Sequence, residues 1–254
     1  MDRFPDEFED LLSREGRRVL AGTSPLCGAL ADPRRRFIAA SDLVTAASAR
    51  AAAALLNRAL YASLSPIDRP IPPEAMWDMT ANYAELLPKT ARVRTAYLDR
   101  PRGRAYRAAE AAGLIALLRS ESFGAFAAAL AGRELRPRWG IQALCYGPGD
   151  YAGPHNDHHP EDAAARRGYL DLHVTLAGRG VGQQWLVYAR QGHFSEVVDV
   201  AAAGTITAYR LPFWHYTAPL VAWPGAAAEA ARRWVLLGTF LYKQPFVADR
   251  RVTE

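Results

Sequence analysis

The chain has 254 residues, 50% hydrophobic and 10% aromatic, enough apolar side chain for one packed core, which excludes a globally disordered polypeptide. No apolar run reaches the ~18–20 residues of a membrane helix, and the acidic start Met1-Asp2-Arg3-Phe4-Pro5-Asp6-Glu7 lacks a signal-peptide apolar segment, so the expected compartment is the cytoplasm. The net charge of +5 rests on arginine, since Lys89 and Lys243 are the only lysines; Arg34-Arg35-Arg36 and Arg100, Arg102, Arg104 and Arg107 read as solvated basic surface, and no nucleic-acid partner is expected.

Up to residue 132 the periodicity is helical. Apolar residues at three- and four-residue spacing predict helices over 6–20, 41–64, 73–87, 105–118 and 122–131, with Ser41-Asp42 as the start of the long Ala-rich one. Pro66, Pro70, Pro72 and Pro73 read as a connector. From 133 onward short β-rich runs take over, at 139–146, 169–176, 184–189, 196–200, 205–211, 216–221 and 233–242, punctuated by Gly and Pro. Helices first and strands second predict an α+β fold, with residues 1–132 packing on a β-sandwich or barrel core of 133–254 as one integrated domain. The helical half offers a lid or a surface for a homodimer. Two cysteines, Cys27 and Cys145, with no CxxC pair, exclude a disulfide framework and thiolate zinc.

The chemistry sits in Tyr146-Gly147-Pro148-Gly149-Asp150-Tyr151-Ala152-Gly153-Pro154-His155-Asn156-Asp157. Residues i and i+2 of an extended segment share a face, so His155 and Asp157 can enter one pocket. An imidazole and a carboxylate suit a divalent first-row metal. The third ligand is expected from His215, in Pro212-Phe213-Trp214-His215-Tyr216-Thr217. Two histidines and one carboxylate form a facial triad that leaves metal positions open for a co-substrate and O₂. His-x-Asp alone is a weak signal. The information lies in the order: a turn, His-x-Asp, strands, a second His, then a basic residue opening Arg233-Trp234-Val235-Leu236-Leu237-Gly238-Thr239-Phe240.

In that order, residues 143–242 resemble the prolyl-hydroxylase-like branch of the iron(II)/2-oxoglutarate-dependent dioxygenases. The resemblance rests on Tyr146, Gly149, Tyr151, His155, Asp157, Gly182-Gln183-Gln184 before Trp185, Gly204, His215 with Pro219, and Arg233. It implies a double-stranded β-helix, or jelly-roll, core with helical support. It implies iron(II) on His155, Asp157 and His215, with 2-oxoglutarate as co-substrate. The reaction implied consumes O₂, releases succinate and CO₂, and hydroxylates an unactivated C–H bond of a small molecule or an amino-acid or peptidyl substrate. The basic residue comes later than the family pattern has it, because the Ala-rich stretch 222–231 intervenes, and two adjacent arginines compete for the role. A buried dicarboxylate needs a charge-assisted, preferably bidentate donor. Arg233 begins the apolar strand and shares a face with Val235, Leu237 and Thr239, whereas Arg232 faces the other way and reads as a surface arginine. The resemblance gives Tyr146 as a second donor to the same carboxylate; an ordinary core tyrosine is the equal alternative.

His158 and His159 read as exposed loop residues, and His173 as either a pocket or a structural histidine. Two other readings stay open. A cupin-type jelly-roll enzyme without 2-oxoglutarate would recruit a further ligand such as His158. A non-catalytic jelly-roll binding module would have no metal affinity.

Overall fold

Strands make up more of the described secondary structure than helices do. The computed structural model describes residues 1–71, 90–157, 168–190 and 193–244. The helix expected over 73–87 and the residues His158 and His159 lie outside them. Thirteen strands are present among the described residues: β1 Phe37–Ala40, β2 Ser65–Pro70, β3 Thr90–Tyr97, β4 Gly140–Tyr146, β5 Tyr151–His155, β6 Tyr169–Ala177, β7 Val181–Gln183, β8 Trp185–Arg190, β9 His193–Asp199, β10 Ile206–Leu211, β11 His215–Thr217, β12 Val221–Ala222 and β13 Arg233–Leu241. The main sheet runs β1-β10-β6-β13-β4-β3-β5-β11-β8-β9, with β2 added on β3; β7 and β12 form a separate pair. The described pairings are antiparallel, and the sheet curls nearly into a barrel around one cavity. That is the jelly-roll core of an α+β fold.

The helices are α1 Arg14–Leu20, α2 Ala46–Ala59, α3 Arg104–Ala111, α4 Leu114–Arg119 and α5 Glu121–Ala131. Helices α2 and α5 pack on the outer face of the sheet at β6 and β13. The small side chains Ala49, Ala52 and Ala53 bring α2 close, and Leu56 meets a buried layer with Leu172, Val174, Trp234 and Leu236. Strand β13 is therefore buried on both faces. Its odd-numbered residues face the cavity, and Trp234, Leu236, Gly238 and Phe240 face the helices. A Cβ on Gly238 would lie 2.7 Å from the Phe123 ring, so only glycine lets α5 dock there.

The elements depart from the periodicity in several places, among them the helix expected over 105–118, which is two, α3 and α4, broken at Gly113 with φ 81. The single helix expected over 6–20 is split: a 3-10 turn at Phe8–Leu11 precedes α1, because Leu12 bridges Val44 and the Ser13 N–H bonds Leu43 O. Ser13 then caps α1 by accepting from Gly16 N. The long helix starts at Thr45, which accepts from Ser48 N, and not at Ser41-Asp42, because Asp42 sits at φ 63 in a turn. The chain also does not change from helix to strand at 133, since β1, β2 and β3 come earlier and join the main sheet. Pro66 and Pro70 of the expected proline connector lie in β2, an edge strand that among the described residues pairs only with β3, where missing N–H donors cost little; Pro72 and Pro73 lie outside the described residues. Strand β5 was hidden inside the Gly/Pro turn.

Both cysteines are free, as expected. Arg34, Arg35, Arg100, Arg102, Arg104 and Arg107 are exposed, as the surface reading requires, whereas Arg36 is half-buried and donates to Pro212 O. Among the described residues no helix is long and apolar enough to cross a membrane.

Candidate metal centre and cavity

Antiparallel pairing of β5 and β11 sets His155 directly opposite His215. Their rings lie 4.3 Å apart between centroids. His155 Nε2 is 3.4 Å from one carboxylate oxygen of Asp157, and His215 Nε2 is 3.4 Å from the other. The three ligand atoms lie within 4.8 Å of one another, a spacing that can hold a metal ion. The structure thus brings together all three residues picked out by the sequence. It does so by a different route from strand alternation. Strand β5 ends at His155, and Asp157 turns back in the left-handed region at φ 53. Aspartate is among the few non-glycine residues that tolerate that conformation. The Tyr169 phenol donates to the backbone oxygen of Asp157 and holds the turn.

The histidines are oriented from behind. His155 Nδ1 lies 2.6 Å from Gly153 O, and His215 Nδ1 lies 3.0 Å from Phe213 O. A carbonyl only accepts, so each Nδ1 carries the proton and each Nε2 keeps its lone pair toward Asp157. Phe213 stacks on the His215 ring at 17°. Burial, and then the neighbouring His155, push the His215 pKa down to about 4, which keeps the imidazole neutral and able to ligate. This donor set fits iron(II) or another divalent first-row ion.

The triad lines a cavity of about 220 Å³ whose wall includes Arg233, Val235, Leu237 and Thr239 of β13. Arg233 is 4% exposed. It donates from Nε to Val200 O at 2.9 Å and from its two terminal nitrogens to Gln184 Oε1 at 3.0 Å and Thr175 Oγ1 at 3.1 Å. All three acceptors are neutral. Among the described residues no carboxylate lies within salt-bridge distance of it. A guanidinium has five N–H donors, so two remain. Burial lowers the Arg233 pKa to about 10, and the group still stays charged at neutral pH. Tyr146 lies beside it, 5.5 Å from guanidinium carbon to ring centroid, and shares a hydrogen bond with Thr217. Arg232 faces the helix side, as alternation requires. It is not a plain surface residue: it stacks on Tyr61 at 3.4 Å and donates to Asn57.

Thr175 was not singled out by the sequence, and Gln184 entered only as part of the Gly182-Gln183-Gln184 run, with no role assigned. Gln184 is fully buried, with Nε2 donating to Asp150 O and Ala218 O, so its Oε1 is aimed at Arg233. A buried glutamine opening a strand was the available signal. His173 settles as a cavity residue, hydrogen-bonded to the Tyr209 hydroxyl at 2.8 Å from Nε2.

No protein-family model and no curated protein matches the sequence. Solved structures do match. A 2OG-Fe(II) oxygenase-family oxidoreductase from Burkholderia pseudomallei superposes with a TM-score of 0.54 at 16% identity, covering 92% of this chain and 93% of its own. A prolyl 4-hydroxylase from Phytophthora capsici gives 0.51 at 14% identity, covering 94% and 69%. The non-heme alpha ketoglutarate dependent epimerase SnoN, from nogalamycin biosynthesis, gives 0.50 at 15% identity, covering 92% and 87%. The chain has the fold of the iron(II)/2-oxoglutarate oxygenases.

Proposed function

We propose that this protein is an iron(II)/2-oxoglutarate-dependent oxygenase that hydroxylates an unactivated C–H bond of a small molecule or an amino-acid or peptidyl substrate. The observation that carries this reading is a conjunction within one cavity. A His–Asp–His donor set stands beside a buried guanidinium that has neutral partners and spare donors. A buried cation without a counter-charge is costly, and an anionic ligand compensates it. A cupin-type enzyme or a binding module gives no reason for that arginine.

His155, Asp157 and His215 would hold the metal, oriented by Gly153 O, Phe213 O and the Tyr169 phenol. Arg233 would take the distal carboxylate of 2-oxoglutarate through its remaining donors, with Tyr146 beside it as a second donor. Gln184, Thr175 and Val200 O keep the guanidinium from rotating. Val235, Leu237 and Leu144 line the wall and exclude water from the reacting region. The iron and co-substrate, when bound, supply O₂ activation coupled to release of succinate and CO₂. Asp157 would supply a carboxylate ligand to the metal where a halide would otherwise bind, so the reading is oxygen insertion without halogenation.

The test is an anaerobic iron(II) titration. One ion per chain is expected in the parent, with binding lost in His155→Ala and His215→Ala. Parent-like binding in both variants would reject the triad.

A further inference from the structure

If Arg233 takes the co-substrate, the substrate is left the other end of the cavity, where the chemistry is different. Along β13 the cavity face runs from Arg233 to Thr239, and Thr239 stands opposite Asp171 on β6. Asp171 is 5% exposed and lines the cavity. Among the described residues its Oδ1 has no hydrogen-bond partner, and its Oδ2 is 4.0 Å from His173 Nε2, beyond hydrogen-bond reach. Thr239 supplies a single side-chain hydrogen bond to the carboxyl. A buried carboxyl oxygen left bare loses its water without compensation, so a partner is expected at this wall.

The neighbouring groups have the same polarity. The Thr95 hydroxyl gives its one proton to Ala143 O at 3.3 Å, so it can only accept from Gln142, whose Nε2 lies 2.7 Å away. That fixes the amide and leaves Gln142 Oε1 as a second acceptor on the cavity wall. Tyr97, 66% exposed, lines the same end and adds the negative face of an aromatic ring. Arg233, at the far end, is the one Lys or Arg among the described residues lining the cavity.

We propose that Asp171, Gln142 and Tyr97 form a subsite for a cationic, N–H-rich group of the substrate, an ammonium or a guanidinium. This rests on the oxygenase reading, which assigns the Arg233 end to the co-substrate. A cation supplies the donors that Asp171 Oδ1 and Gln142 Oε1 lack, and it suits an aromatic face. A carbonyl or carboxylate substrate would meet two acceptors. Burial, and then the field of Asp157, hold the Asp171 pKa well above the usual carboxylate range, a shift that a cation seated beside the carboxyl would oppose. The cavity of about 220 Å³ is below the ~300–1,000 Å³ of ordinary ligand pockets, which fits one side-chain-sized group beside a small co-substrate.

The test is anaerobic calorimetry on protein loaded with iron(II) and 2-oxoglutarate. The probes are L-arginine and L-lysine, their uncharged counterparts L-citrulline and L-norleucine, and short blocked peptides carrying a central Arg or Lys. Free amino acids and peptides separate the two sources of the same cation. The charged probe of a pair should bind about 30-fold tighter or better, a preference that Asp171→Asn abolishes. Equal binding of charged and uncharged probes overturns the proposal. So does a preference retained in Asp171→Asn, or binding of 2-oxoglutarate with no binding of any cationic probe. If Asp171→Asn does not fold, Gln142→Leu decides, and it should weaken only the charged probes. Failure to bind iron or 2-oxoglutarate, with an Asp171-dependent cation preference intact, would sink the oxygenase reading and leave this subsite standing.

Discussion

His173 shows how burial turns a side chain into a sensor of acid. Burial, and then the field of His215, push its pKa from 6.5 down to about 3. Between those values the unfolded chain binds a proton that the native protein refuses, so stability is fullest above pH 6.5 and falls as pH drops toward 3. The loss is up to ~1.4 kcal/mol per pH unit for this one group. Asp171 acts with the opposite sign, because its raised pKa makes the native state the tighter proton binder. The measurement that isolates His173 is the difference between two slopes. Urea unfolding across that acid range should show a shallower loss in His173→Gln than in the parent; parallel slopes would remove His173 from the account. At this scale much of the site was legible. His155, Asp157, His215 and Arg233 each stood in a recognisable order. Thr175 and Tyr169 did not, and the role of Gln184 did not show in its run, because a hydrogen bond to a distant strand leaves no local pattern.

Among the elements, β13 carries the most, since it faces the cavity on one side and the helices on the other. Gly238 is its closest approach to α5. Gly238→Ala would drive a methyl into the Phe123 and Phe240 rings, both buried. Overpacking of that kind costs ~1–3 kcal/mol. For a chain of this size Tm should fall ~2–4 °C for each kcal/mol, measured by thermal unfolding with iron binding retained. An unchanged Tm would mean that α5 is not docked there. The apolar strands β4, β6, β8, β10 and β13 were readable because runs such as Val235-Leu236-Leu237 announce them. Strand β3 was not. Arg92 and Arg94 alternate with Val93 and Thr95, and its place between β4 and β5 is set by tertiary pairing. Helix α2 was placed correctly in its body but began late, because the Asp42 turn ends the extended segment first.

At the scale of the molecule, we propose that residues 1–132 and 133–254 fold as one integrated domain. Strand β3 pairs with both β4 and β5, β1 closes one edge on β10, and α2 covers β6 and β13. Removing the first half would expose the buried outer layer around Trp234 and Leu236 and leave β4 and β5 without their common partner. Calorimetric unfolding of the full chain should show one transition, and a 133–254 fragment should not fold. Two separate transitions, or a folded fragment, would divide the protein. The same integration supports the oxygenase reading, since β3, from the first half, contributes Tyr97 to the cavity.

That reading joins two charges in one cavity, a metal on the His–Asp–His set and a co-substrate carboxylate on Arg233. The measurement that tests it most directly is anaerobic titration of 2-oxoglutarate into the iron(II) form, followed by the visible absorption band of the chelate and by calorimetry. The account predicts one 2-oxoglutarate per chain, an iron-dependent band, and affinity weakened roughly 30- to several-thousand-fold in Arg233→Ala with little change in Arg232→Ala. Binding that ignores iron, or an Arg233→Ala protein that binds as tightly as the parent, would contradict it.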